Sequence, residues 1–432
     1  MPPAQSIPRQ LADACQGVRE AIPQDSVAGV QPSFVAAPTS TQEASALLAA
    51  ATELGLATVP RGSGTKLHWG RPPDQCDLVI EMTGSSRVTE HAAGDLTATV
   101  QAGRSLERLA GVLAAAGQRL ALDPPVAGPA GSRGTVGGAL AAGAAGPLRL
   151  RYGTARDLLI GITIVLADGT IARSGGKVVK NVAGYDLGKL LAGSRGTLGL
   201  ITEATFRLHP MPAAAAYVTA QNAPPGVPGL LAAALEPSVS PVAAEIDWPH
   251  TDALVSVGVL LEGDPAGVSG RAAKLADKLD EAGGSAVTLS AEPPSWWGTH
   301  GAAAAGGTAL QIAFWPGNLG ATLAAIQATA DQAELDAAVG GSAAAGVLAL
   351  CLPAAGATTA AAVAAFVTAL REAVGHGSSE NRASVVVQHA PHAVLQLVDP
   401  FGYVPSLSLM RAVKAQFDPG RMLSPGRFAG GI

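Results

Sequence analysis

A chain of 432 residues with 48% hydrophobic and only 14% charged residues has the composition of a globular protein large enough for two or three cores. Its net charge of −5 and the absence of any long Lys/Arg run leave no footprint for nucleic acid. Three dispersed cysteines, Cys15, Cys76 and Cys351, exclude a disulfide framework and do not suffice to ligate an iron–sulfur cluster.

The amino terminus lacks the basic-then-apolar pattern of a secretory signal, which points to the cytoplasm. LADACQGVREAI (11–22) reads as a helix and FVAAP (34–38) as a short strand. Ser40 and Glu43 form a capping box for the helix SALLAAATEL, which Gly55 ends. ATVP (57–60) is then a strand running into the loop RGSGTK (61–66), and DLVIEM (77–82) continues a small mixed sheet. Taken alone, RGSGTK is a turn that needs positive φ at glycine. DLTATVQAG (95–103) alternates as a strand, and the helix SLERLAGVLAAAGQRL (105–120) puts Leu106, Leu109, Val112 and Leu113 on one face.

ALDPP (121–125) leads into the glycine-rich centre. In GTVGGALAAG (134–143), Gly134, Gly137 and Gly138 remove side chains where a helical segment begins, so consecutive amides can converge on an anion such as a diphosphate. Arg151, Arg156 and Asp157 around YGTARD can pair with phosphate or with one another. GITIVLADGTIAR (161–173) reads as two strands about the Asp168-Gly169 turn, and LGLITEATFRL (198–208) as another strand. Between them, Lys177 and Lys180 add positive charge, Gly184 permits a tight approach, and YDLGKLLAG forms a helix; Tyr185 reads as a core ring or as a cofactor contact. The dinucleotide motif G-x-G-x-x-G is absent, as is the phosphate-binding G-x-x-x-x-G-K-[ST].

After Pro210-Met211-Pro212 the composition shifts, a domain boundary. Residues 213–400 then alternate apolar runs at 253–261, 309–315, 347–352 and 384–387 with helices at 268–282, 319–337 and 358–374, the order of an α+β domain with antiparallel strands. The uncharged stretch from Ala337 to Leu370 is interrupted by glycines and Pro353 and reads as a buried strand and a helix rather than a membrane span. His389 and His392 lack nearby carboxylates or cysteines and read as lone histidines, not metal ligands. Trp296 and Trp297 read as packing or partner contacts. The last segment is a helix with Leu407, Met410 and Val413 on one side, broken at Asp418-Pro419-Gly420.

PRGSGTKL, GTVGGALAAG, YGTARD, NVAGYDLGKLLAGSRGTLGLITEA and FDPGRMLSPGRF together resemble, in order, the motif series of the FAD-linked oxidoreductases of the vanillyl-alcohol-oxidase type. The KNVAGYDL run and the KAQFDP…LSPGRF tail are similar to those of the FAD-binding subunits of glycolate oxidase (glycolate dehydrogenase). The resemblance implies an α+β fold: a two-part FAD-binding domain at 1–212 (small subdomain about 30–92, larger about 93–212), an inserted cap at 213–400 for the substrate, and a return of 401–432 to the FAD-binding domain. It implies FAD contacts from Arg61, Gly62, Ser63, Gly64, Thr65, Asp123, Pro124, Gly134, Thr135, Gly137, Gly138, Gly143, Tyr152, Gly153, Asp157, Gly196, Gly199 and Ile201. Thr65 stands where some relatives have a flavin-tethering His, so the FAD is expected to be noncovalent.

The implied activity is oxidation of a small 2-hydroxy acid, glycolate first, by hydride transfer to flavin. No catalytic base is identifiable: the H-G-D-G-N-x-H run of related dehydrogenases is missing. That absence suggests a subunit working with a homologous flavoprotein subunit and an iron–sulfur subunit, with any membrane association peripheral and through those partners. The alternatives are a stand-alone FAD oxidase or dehydrogenase, with its base among Tyr403, His389 and His392, and a structural subunit with a vestigial flavin site.

Overall fold

The structure is a computed structural model that describes residues 7–126, 132–176, 186–301, 306–354, 359–375 and 383–432. Lys177, Lys180, Gly184 and Tyr185 lie outside the described residues.

The chain opens with a helix at Ile7–Ala14 and a strand β1 at Val18–Glu20, rather than the continuous helix over 11–22 that its composition suggests. Gly17 explains the break, because a Cβ there would lie 2.8 Å from the Ala37 carbonyl oxygen and the chain must turn against the next strand. Strands β2 (Phe34–Ala36), β3 (Thr58–Arg61) and β4 (Leu78–Glu81) complete a four-stranded sheet of order β1-β2-β4-β3, in which β4 runs parallel to both neighbours. The Thr41–Glu53 helix links β2 to β3. Its Ser40 hydroxyl accepts the Glu43 amide hydrogen, while the Glu43 carboxylate reaches past Ser40 to the Thr39 amide.

Strands β5 (Val88–Ala92) and β6 (Thr97–Gln101), then, after the short β7 (Gln118–Arg119), β8 (Leu159–Val165), β9 (Ile171–Gly175) and β10 (Leu200–Arg207), build an antiparallel sheet of order β5-β6-β10-β8-β9. The Leu106–Ala114 and Val136–Ala142 helices bury Leu106, Leu109, Leu113, Val136 and Leu140 against it. Val112, expected on the buried face, is exposed. The expected YDLGKLLAG helix is, in its described part, a 3-10 turn at Leu187–Leu191. Short β11 (His209–Pro210) pairs with β7.

The remaining strands, β12 (Ala214–Asn222), β13 (Ala243–Trp248), β14 (Val255–Gly263), β15 (Ser285–Ser290), β16 (Thr308–Phe314), β17 (Ala338–Gly341), β18 (Val347–Leu352) and β19 (Ala383–His389), form one antiparallel sheet of order β15-β12-β14-β13-β17-β18-β16-β19. Period-2 alternation sends Ile246, Trp248, Val339, Leu310 and Ile312 into a core beneath the helices at 227–234, 265–281, 319–333 and 360–373. The opposite face turns Glu245 and Gln311 toward the first part of the chain. No described helix is long and apolar enough to cross a membrane.

The Leu407–Phe417 helix brings the carboxyl terminus back. Met422 accepts the Thr58 amide hydrogen at 2.7 Å and Ser424 donates to the Thr58 carbonyl at 2.8 Å, so the terminal segment runs alongside β3.

Candidate functional site

A cleft with about 850 Å³ of atom-free space opens where the RGSGTK loop, the start of the Val136–Ala142 helix, the entry to β10 and Arg427 of the tail meet. Arg61, Gly62, Ser63, Gly64, Thr65, Thr135, Gly137, Gly138, Gly196, Gly199 and Ile201 all line it. The absent side chains hold the loops together: a Cβ on Gly62 would fall 2.2 Å from Thr135 Oγ1, and one on Gly137 would fall 2.6 Å from the Ala102 Cβ. Gly134, at φ +101°, packs against Thr65.

The amides do not converge as the glycine spacing suggests. Those of Val136, Gly137 and Gly138 are taken by the Arg104 carbonyl, the Ala102 carbonyl and Thr135 Oγ1. The backbone N–H groups of Ser63, Gly64 and Thr65 instead make no hydrogen bond to another described residue, so the loop after β3 supplies the free donors. Arg61 is committed elsewhere, donating to Asp25 at 2.9 Å and Glu81 at 2.6 Å.

Three other cations face the cleft without a carboxylate partner among the described residues: Lys66, Arg195 and Arg427. Burial, with Arg133 nearby, pulls the Lys66 ammonium down to about 8. Burial pulls both Arg195 and Arg427 down to about 10, and Arg427 adds to the effect on Arg195. Arg195 Nη1 and Arg427 Nε are buried with no hydrogen-bond partner. Arg195 sits at φ +54°, a left-handed conformation that a non-glycine residue adopts at a cost, stacked over Phe401 and Phe428. Buried cations without a counter-charge beside free amides are electrostatically complementary to an anion such as a diphosphate. No His, Cys or Tyr is among the described residues that line this cleft.

A second chamber adjoins the first. Trp69 lines both, and Arg195 Nη2 donates to Gln388 Oε1 of the second at 2.9 Å. Gly143 lies in this chamber rather than in the cleft. Asp123 sits behind its wall, where its carboxylate accepts the Leu148 amide hydrogen and burial lifts it to about 7. The Pro124 carbonyl holds Arg133. Tyr152 joins Arg119 to Glu262 of β14, and Gly153 packs on Asp157, which caps Thr154. None of Asp123, Pro124, Tyr152, Gly153 and Asp157 lines the cleft.

Sequence reasoning passed over Lys66, Arg195 and Arg427 in the cleft, and Arg149, Glu245 and His300 in the chamber. The first three stand within the motifs GSGTK, GSRGTLG and LSPGRF, so their neighbours were the available signal; the others have none in the sequence. Tyr403 and His392 are exposed and His389 stacks edge-on against His68; none lines either space. Trp296 and Trp297 pack over Gly258 of β14. No group of three His, Cys, Asp or Glu side chains among the described residues can hold a metal ion.

The family description "FAD binding domain" matches residues 32–175. Glycolate oxidase subunit GlcD of Bacillus subtilis is 40% identical over 181 residues, 42% of this chain and 38% of that protein. D-lactate dehydrogenase of Archaeoglobus fulgidus is 39% identical over 176 residues, 41% of this chain and 38% of that protein. The matched stretch thus spans well under half the length of these curated relatives. Among solved structures, 4-ethylphenol oxidase from Gulosibacter chungangensis superposes with a TM-score of 0.72 at 15% identity, covering 99% of this chain and 98% of that one, a likeness of fold. The chain has the α+β fold of the FAD-binding oxidoreductases of the vanillyl-alcohol-oxidase type, and its matched stretch is related to a glycolate oxidase subunit and to a D-lactate dehydrogenase.

Proposed function

We propose that the chain is an FAD-dependent oxidase or dehydrogenase of a small hydroxy acid, active in its own right. The observation that carries the reading is the pairing of a cationic, glycine-walled cleft with a small-walled chamber carrying a few polar side chains that opens beside it under the large sheet. In this reading the free amides of Ser63 to Thr65, with Lys66, Arg195 and Arg427, hold the FAD diphosphate; Gly138 and Ile201 leave its length unobstructed. When bound, FAD accepts a hydride. The protein's part is to seat the substrate, keep water out and take the hydroxyl proton. Residues 1–212 and 401–432 then form the FAD-binding domain, with the sheet of 213–400 as cap over the substrate.

A second reading makes the chain one FAD-binding subunit of a glycolate-oxidising complex with a homologous flavoprotein and an iron–sulfur subunit. It is supported by the similarity to a glycolate oxidase subunit and by three dispersed cysteines that hold no onward electron carrier. Anaerobic mixing of the FAD-loaded chain with glycolate, D-lactate and L-lactate separates the two. Rapid flavin bleaching by the single chain supports the first reading; bleaching only after the partner subunits are added supports the second; none in either case rejects both.

A further inference from the structure

The second chamber holds about 700 Å³ of atom-free space and is walled largely by glycine and alanine. Its chemistry comes from a few side chains, chiefly Arg149, Glu245, His300, Ser342, Gln311 and Gln388. The β13/β17 register pairs Asp247 with Gly340, so the pleat places Glu245 and Asp247 beside Gly340 and Ser342 on the face turned away from the hydrophobic core. Ser342 Oγ donates to the Glu245 carboxyl. The missing side chain of Gly340 makes room for His300, since a Cβ there would lie 2.2 Å from the imidazole Cε1. Trp296 flanks the ring, with centroids 6.0 Å apart.

Two groups in this chamber are incompletely paired. His300 Nε2 is buried without a hydrogen bond, 3.9 Å from Asp247 Oδ1. Arg149 uses Nε and Nη2 on the carbonyls of Gly146 and Ala145 and has no carboxylate within ion-pair distance among the described residues. Glu245 and Asp123 are the nearby acids, and burial raises both, to about 8 and about 7, so neither serves as a full counter-charge to Arg149 at neutral pH. Burial lowers His300 to about 4, so the ring is neutral at pH 7. A small-walled chamber with one unneutralised guanidinium and one unpartnered imidazole is complementary to a small anion that also carries a hydroxyl.

We propose that this chamber is the substrate site and takes a small 2-hydroxy monocarboxylate, with Arg149 pairing its carboxylate and His300 accepting its hydroxyl proton. The assignment rests on the flavin reading above. In the step, the hydroxyl-bearing carbon loses its hydrogen as hydride to oxidised FAD, the O–H proton goes to His300, and the C–O bond becomes the carbonyl of a 2-oxo acid. Bound FAD would supply the two-electron oxidant, and no other is needed.

The test is calorimetric titration of FAD-loaded and FAD-free protein with glycolate and D-lactate, alongside anaerobic stopped-flow bleaching from pH 3.5 to 9. Arg149→Met should weaken binding in both forms by roughly tenfold or more, and Arg149→Lys should recover part of it. His300→Asn should leave affinity within about threefold, slow bleaching by about 10²–10⁴, and abolish the rise of the bleaching rate from its low-pH limb. Unchanged affinity in folded Arg149→Met, or wild-type bleaching in His300→Asn, overturns the assignment, as does failure of the wild-type chain to bind either acid. If the protein takes up no FAD while the FAD-free chain binds the acids through Arg149, the flavin reading fails and the anion site stands.

Discussion

Lys414 and Asp418 form an ion pair of 2.6 Å, one helical turn apart, with side chains 5% and 0% exposed. The ammonium also donates to the carbonyls of Thr197 and Leu423, and the carboxylate accepts the amide hydrogens of Met422 and Leu423. The pair therefore holds the terminal segment, which runs alongside β3 and carries Arg427, against the turn before β10, which carries Arg195 and Gly196 to the cleft. Breaking a fully hydrogen-bonded buried pair from one side leaves a charge unpaired, a loss of about 3–5 kcal/mol. Lys414→Met should lower the urea midpoint accordingly and weaken FAD binding with it, whereas Lys414→Met with Asp418→Leu should recover part of the stability.

The cleft cations are unfavourable without an anion. Lys66 has the weakest support, a 3.4 Å contact with the Arg133 carbonyl and the Trp69 ring at 5.8 Å. Lys66→Met is therefore expected to leave the FAD-free protein as stable or more so, while weakening FAD binding about tenfold in low salt and less in high salt. Thermal melts with and without FAD check both halves; a variant that loses stability but binds FAD normally would place Lys66 outside the site.

Gly138 faces the cleft, and a Cβ there would meet only Thr135 Oγ1 at 2.9 Å. Gly138→Val should consequently fold, with normal circular dichroism, yet retain little FAD. Normal flavin content in the folded variant would remove this wall from the cofactor site.

The acids under the large sheet impose a pH dependence. Burial raises Glu245 to about 8, so the folded chain keeps a proton that the unfolded chain loses near its ordinary value. Between about pH 4.5 and pH 8 the native state binds more protons, and stability falls as pH rises through that window. Glu245→Gln should flatten the decline in the FAD-free protein, measured as urea midpoints at successive pH values; an unchanged slope would show that Glu245 does not titrate there.

Where structure follows from local chemistry, the sequence was readable. The Asp168-Gly169 turn sits at φ +86° for Gly169 between β8 and β9, and the alternating run of β10 has one face in the core, so both announced themselves. β13 did not. Its polar Glu245 and Asp247 look like loop residues, although Glu245 is only 2% exposed because a neighbouring strand and the Arg149 segment cover it. Ser285–Ser290 is an edge strand with little burial and no apolar rhythm to find. The same distinction separates the two spaces. The cleft is built from backbone, and backbone demands glycines that show in a sequence; the chamber is built from single side chains that only the tertiary fold brings together.

The central claim, that this cleft holds FAD without a covalent bond, is tested most directly by adding FAD to the purified chain, removing the excess, and recording the absorbance before and after acid precipitation. The account predicts about one FAD per chain, retained through gel filtration and released entirely into the supernatant by acid. A chain that stays colourless after reconstitution, or that keeps its flavin in the acid pellet, would contradict it.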